Sequence, residues 1–300
     1  MDWGESVASN AAMITVTGVD GSRWTIAGQG SGREGVELAT SPTGLYDAPV
    51  TTIWNQSAFQ AGSSFGGYRT NKRDVVFAVN VFQTAGSSWE AVDSAWRKAW
   101  AYDRDATLTI TTDFGTRTLK LRMSEQPDFK PDKDPHLKSI GKVVMTCTAG
   151  NPWWVESDVT GSWTSTIDTT GAVKDQSGTV TIANPTDQPM WLKWVCSAPG
   201  KWTLPDFSWG AVDRHGDRVI ELPMTTESED LTVDTDPMEE MIVAKDGSQI
   251  WALMDGVSFL YPVPPYTPAT AIPVKVSGAP TGASVLVVQP RNWSRPWGLQ

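Results

Sequence analysis

The chain has 300 residues, a net charge of −10, 26 Gly, 20 Pro, 16 Trp and two Cys, enough for about two domains of ~150 residues each. Its Gly, Pro and Trp content points to short strands and turns with large aromatic anchors. Residues 1–150 hold 16 acidic and 15 basic side chains against 18 and 9 in residues 151–300, so the excess charge lies in the second half, and an acidic body without a basic patch argues against specific nucleic-acid binding. Cys147 and Cys196 fall one in each half, too few for a disulfide framework. They read as buried thiols of a protein made in a reducing cytoplasm, although a single bridge between them fits the count. No window reaches the ~20 apolar residues of a membrane span, and the basic-then-apolar order of a signal peptide is missing at the N-terminus.

Ala12–Thr17 and Ser22–Ala27 flank Gly18-Val-Asp-Gly21 and read as a hairpin. Gly28–Gly35 contains a G-x-G-x-x-G at Gly30, Gly32 and Gly35. A dinucleotide site needs that motif to open a helix, and Pro42, Gly44 and Pro49 forbid one, so a mobile loop is expected. Thr51–Trp54 leads into a second glycine-rich stretch, Gly62–Gly67. Lys72–Phe82 alternates as a long strand with Val75, Phe77, Val79 and Val81 on one face. Ser87-Ser-Trp-Glu90 fits a capping box in which the Ser87 hydroxyl meets the Glu90 amide. Trp89, Val92, Trp96, Ala99 and Trp100 then share one helical face, predicting a single helix over about 88–103 that packs on a sheet. Thr107–Thr112 and Arg117–Met123 flank Asp113-Phe-Gly-Thr116 in a hairpin. Pro127–Pro135 is a polar connector whose Asp spacing does not make a calcium loop.

Gly141–Ala149 alternates again, with Val143, Met145 and Cys147 on one side, and Asn151-Pro152 ends that strand because Pro152 has no N–H for the ladder. Trp153 and Trp154 follow. Asn151, Pro152, Trp153 and Trp154 are candidates for an inter-domain junction, the alternative being that the two indoles are ordinary core of a second domain. Residues 151–290 then show the dense short strands of a β-sandwich: Gly178–Ala183, Met190–Cys196, Arg218–Leu222 and Val285–Val288.

Catalytic chemistry is thin. His136 and His215 lie in different halves, and G-x-S-x-G and H-E-x-x-H are missing. Asp213, His215 and Asp217 read as a solvated loop, and no metal, cofactor or catalytic residue is assigned. Ten of the 16 Trp follow residue 150, so a sugar-stacking face is the competing function, with Trp191 and Lys193 on one side of their strand and Leu192 and Trp194 on the other. In the terminal Trp/Arg segment, 291–300, Trp293, Arg295 and Trp297 are candidates for anchoring a partner. Packing back on the sandwich is the alternative.

The ordered set of the Gly30–Gly35 loop, Gly44-Leu-Tyr-Asp-Ala-Pro49, Gly62–Gly67, Arg73-Asp-Val with its strand, one helix, Asp113-Phe-Gly-Thr-Arg117 and Asn151-Pro-Trp-Trp154 resembles the distal tail protein family of long non-contractile-tailed phages. The likeness is strongest to the minor tail proteins of phages of actinobacteria. Leu231–Pro237 and Leu260–Pro265 resemble the late sandwich strands of the same family. The resemblance implies a mainly β protein: an α+β belt domain over 1–150 that closes into a hexameric ring, then a galectin-like β-sandwich over 151–290. It also implies a structural, non-enzymatic role at the virion tail tip, between tail tube and baseplate hub and around the DNA channel. The implied partners are further copies of the chain, the tail tube protein and the baseplate hub protein, with the tape measure protein and receptor-binding proteins as additional ones. Assembly is expected in the host cytoplasm.

Overall fold

In the computed structural model, which describes residues 12–39, 42–209 and 215–300, the chain is mainly β-strand. It divides into two compact units: the first runs to Glu156 and takes in Trp293–Leu299, and the second is Ser157–Asn292.

The first unit opens with the antiparallel pair β1 (Met13–Thr17) and β2 (Arg23–Ala27). The Asp20 carboxylate closes their turn by accepting from Ser22 N and Oγ, bonds that hold its pKa below the usual carboxylate value. Glycines 28, 30, 32 and 35 all have positive φ, and the next element is a three-residue strand, β3 (Val36–Leu38), so no helix follows the G-x-G-x-x-G. After β4 (Val50–Asn55) and β5 (Ser64–Thr70) comes the long strand β6 (Arg73–Phe82). Helix α1 (Trp89–Lys98) follows, then β7 (Ala106–Thr112), β8 (Gly115–Met123), a four-residue helix α2 (Pro135–Lys138), β9 (Ile140–Ala149) and β10 (Trp154–Thr164).

Two antiparallel arrays carry the core. In one, β2 pairs β1, β1 pairs β7, β7 pairs β8, and β8 meets β10 at Thr118 opposite Val155. In the other, β6 lies between β3 and β9. Arg122 and Met123 of β8, opposite Thr148 and Cys147 of β9, join them. The alternation read from sequence holds: Val75, Phe77, Val79 and Val81 of β6 and Val143, Met145 and Cys147 of β9 are buried together with Trp89, Val92 and Trp96 of α1. The pair β4–β5 stands outside both arrays as a separate two-stranded sheet.

Two helix expectations need correction. The N-cap is Ser88, whose Oγ accepts from Ala91 N at 3.3 Å, in place of Ser87 acting on Glu90. The helix also stops at Lys98, short of 103. Ala99 and Trp100 keep the apolar period and are buried, but they do so in the turn that leaves the helix. The expected helix stays the single long one; α2 is a four-residue turn, where Pro135 takes the first position and Asp134 caps the His136 amide, a pairing that suits a helix start.

The second unit is a β-sandwich. One sheet has the order β11 (Asp175–Asn184), β17 (Thr267–Ser277), β13 (Lys201–Pro205), β14 (Val219–Glu221). The other contains β16 (Ile242–Ala244), β15 (Leu231–Asp234), β12 (Lys193–Cys196) and β18 (Ser284–Trp293), also in spatial order. Inward residues of both sheets form one core, including Ile182, Trp194, Cys196, Trp202, Val233, Val274 and Val287. Asn184, just after the predicted strand Gly178–Ala183, donates to the carbonyls of Gln188, Val263 and Pro264, and pins the exit of β11 to the stretch before β17. Leu260–Pro265 is that stretch. It forms a single bridge, Met190 opposite Val263, and no strand, because its three prolines supply no ladder donors.

Candidate functional site

The residues nominated from sequence converge in the first unit on two arginines that the sequence reading left without a role. Arg73 opens β6 two residues before Val75, so strand periodicity points its side chain inward, and it is fully buried. A buried guanidinium is costly unless its five N–H donors find acceptors. Here Nε donates to Pro152 O at 2.7 Å, Nη1 to the carbonyls of Gly44, Leu45 and Asp47 at 3.0, 3.2 and 2.9 Å, and Nη2 to Ser294 O at 2.8 Å. Burial pulls its pKa down to about 10, against an opposing pull from the Asp47 charge, so the group stays cationic at neutral pH.

Arg117 repeats the device on β8, two residues before Leu119. Its guanidinium carbon lies 3.7 Å from the centre of the Trp293 ring, and Nη1 and Nη2 donate to Arg295 O and Gly298 O at 2.8 and 3.0 Å. Both signals were present in sequence as charged residues at inward-facing strand positions, but their acceptors lie up to 221 residues away.

Of the proposed junction, Asn151 is exposed and its side chain accepts from Trp153 N at 3.1 Å, forming a turn. Pro152 supplies the carbonyl for Arg73. Trp154 is fully buried in the core of the first unit, where its Nε1 donates to Leu45 O at 3.2 Å; Trp153 is half-buried. Trp154 is therefore core of the first unit, not of the sandwich.

The terminal segment packs on the first unit as well, contrary to the alternative that placed it on the sandwich. Trp293 is 1% exposed, and its Nε1 donates to Glu156 Oε2 at 2.8 Å, which leaves the ring no face for a partner. The Trp297 ring lies 5.1 Å from that of Tyr46. Arg295 Nε lies 3.1 Å from Asp47 Oδ1, an ion pair without hydrogen-bond alignment. Arg295 and Trp297 thus lie against Asp47 and Tyr46, just before β4.

The hairpin that begins at Val50 is the reverse case. Trp54 and Phe65 pair edge-to-face at 5.6 Å, yet Trp54 is 56% and Tyr68 67% exposed, and every residue of β4 faces solvent.

Elsewhere the chemistry is quiet. His136 sits edge-on to Trp89, and His215 stacks on Tyr261; Asp213 lies outside the described residues. Asp206 is buried against Arg218 and accepts from the amides of Leu260 and Tyr261, so it is spent on structure. Among the described residues no three His, Cys, Asp or Glu side chains group as metal ligands, and no helix is long and apolar enough to cross a membrane. Cys147 and Cys196 are both buried free thiols, one in each unit. In the strand that left the sugar question open, Leu192 and Trp194 face the core and Lys193 pairs with Asp234 at 2.6 Å. Of the ten late tryptophans only Trp251, 57% exposed, presents most of its ring.

This two-unit β fold is shared with a solved phage Dit protein. The crystal structure of SPP1 Dit (gp 19.1), described as a paradigm of the hub adsorption apparatus in phages infecting Gram-positive hosts, aligns over 92% of this chain and 98% of its own with a TM-score of 0.60 and 14% identity. In sequence the chain is 33% identical to minor tail protein Gp27 of Mycobacterium phage L5 and 32% identical to that of Mycobacterium phage D29, each over 96% of this chain and 98% of the relative. It belongs to this family of mycobacteriophage minor tail proteins. No family model matches the chain.

Proposed function

We propose that the chain is a structural protein of the tail tip: its first unit assembles with further copies into a ring, six by family resemblance, that joins the end of the tail tube to the baseplate hub around the DNA channel. Kinship to two minor tail proteins over nearly the full length supports the tail role, and the fold shared with SPP1 Dit supports the hub position. The observation that carries self-assembly is the β4–β5 hairpin, an aromatic two-stranded ribbon of the first unit on which, among the described residues, Trp54, Phe65 and Tyr68 are each more than half exposed. In this reading Asn151–Trp154 fix where the chain leaves the ring-forming unit. Tube and hub proteins are the direct neighbours, the tape measure protein and receptor-binding proteins are met in the finished tip, and assembly takes place in the host cytoplasm. No catalytic step is assigned.

Negative-stain imaging and mass measurement of the purified chain, alone and with tube and hub proteins, test this. Closed rings of uniform size are expected. A chain that stays single under all of these conditions overturns the proposal.

A further inference from the structure

The acidic excess of the chain is concentrated in one segment. Residues 227–260 hold nine acidic side chains against one basic, Lys245, so −8 of the net −10 lies there and the rest of the chain carries −2. The same segment ends in a run of exposed apolar side chains. Over 247–260 the one charged residue is Asp255, while Trp251, Leu253 and Leu260 are each more than half exposed and Val257 is close to half. An indole among aliphatics, depleted of charge, is the make-up of an interface core. Met238-Glu-Glu240 lies in the turn between β15 and β16, and the short 3-10 helix Ile250–Met254 packs on β16, so these acids and the indole belong to one edge of the sheet.

The run is held in place. Ile250, Met254 and Phe259 are buried beneath it, and Trp251 Nε1 donates to Gln249 Oε1 at 3.3 Å. The buried pair of Asp206 and Arg218 serves it too: Arg218 Nη2 donates to Ser258 O at 2.9 Å, and the Asp206 carboxylate accepts from the amides of Leu260 and Tyr261. A buried ion pair is costly to form, and both members of this one spend side-chain bonds on fixing 258–261. A surface set in advance loses little conformational freedom when a partner arrives.

Charge and shape select the occupant. Nucleic acids, acidic glycans and anionic membranes are repelled by a field of this sign. A neutral sugar would stack on Trp251 but gain nothing from Leu253, Val257 and Leu260. A second copy brings no opposite excess, because outside 227–260 the chain is itself slightly acidic. We propose that the edge formed by 238–244 and 250–260 docks a different protein of the tail tip, one that offers an apolar pocket to Trp251 and Leu253 within a rim of Lys and Arg. The inference rests on the tail-tip reading and is independent of ring closure.

Tails purified from host cells test it, carrying the full-length chain as parent, as Trp251→Ser with Leu253→Ser, or as Glu239→Lys with Glu240→Lys. All four side chains are exposed, so the free chains should melt like the parent; should the first variant melt early, the second, which leaves every apolar residue in place, decides. Hydroxyl-radical oxidation read by mass spectrometry should mark Trp251 several-fold less in tails than in the free chain. Carbodiimide coupling should join Glu239 or Glu240 to lysines of a different protein, and the amount of that protein in tails should fall by about tenfold or more in the Trp251 variant and several-fold in the charge variant. Trp251 oxidised in tails as readily as in the free chain overturns the docking edge and leaves the tail-tip reading standing. Couplings that run only to further copies of the chain overturn the choice of partner, and tails that keep the coupled protein in both variants overturn the edge. A chain absent from purified tails overturns the edge and the tail-tip reading together.

Discussion

Arg73 gathers five carbonyls that would otherwise compete for donors in a dry interior. Arg73→Met would strand all of them, and a loss of about 3–5 kcal/mol is expected, as for other broken buried ionic networks, measured by urea unfolding. Arg73→Lys should recover only part of it, because an ammonium offers three donors from one point where the guanidinium offers a planar fork. Burial pushes the Cys147 thiol up to about 12 and Cys196 upward as well. Both thiols therefore stay protonated through neutral pH, and a thiol reagent should titrate none in the native protein and two after denaturation. What sequence reading could see at this scale was direction: two-residue periodicity puts Arg73 beside Val75 and Arg117 beside Leu119 on the inward face. It could not see the acceptors, because a carbonyl leaves no signature in sequence and those serving Arg73 come from three separate stretches of chain.

Among the elements, the strands with clean alternation, β6 and β9, were legible almost to their ends, since burial on one face enforces the pattern. The helix was legible in its face but not in its length, because Ala99 and Trp100 continue the period after the backbone has turned. Ser88→Ala should cost about 1 kcal/mol by removing the cap, while Ser87→Ala should cost little; thermal melts of the two separate them. The strand β17 went unread because Pro268 and Pro273 break a central-strand pattern. Both precede Lys275–Ser277, where β13 joins, so up to that point β17 has one partner, β11, to satisfy. Just before the β4–β5 hairpin, Gly44 has φ +71 and a Cβ there would collide with Asp74 O. Gly44→Ala is therefore expected to cost more than the ~1 kcal/mol of a simple glycine effect, with a lower midpoint in urea as the readout.

On the scale of the whole molecule, the mainly β class and a phage-tail kinship could be read from the order of motifs. The return of 293–299 to the first unit could not, because nothing in a Trp- and Arg-rich terminus names the surface it packs on. Deleting residues 293–300 should lower the melting temperature, with about 3–5 kcal/mol lost at the buried Trp293 site alone. A truncated chain that melts like the parent would show that the segment is not part of that core.

The tie between Arg73 and Ser294, 221 residues apart, also sets an order in time. On the ribosome the strands of the first unit emerge early, but Trp293–Leu299 leave only after the whole sandwich has been translated. Domains made first usually fold first, yet this one must wait with an open slot for Trp293 and with Arg73 and Arg117 still short of the acceptors that the terminal segment supplies. The half of the protein synthesised first is the half that finishes folding last, and chains released early by a stalled ribosome would carry that unfilled slot into the pool of free subunits.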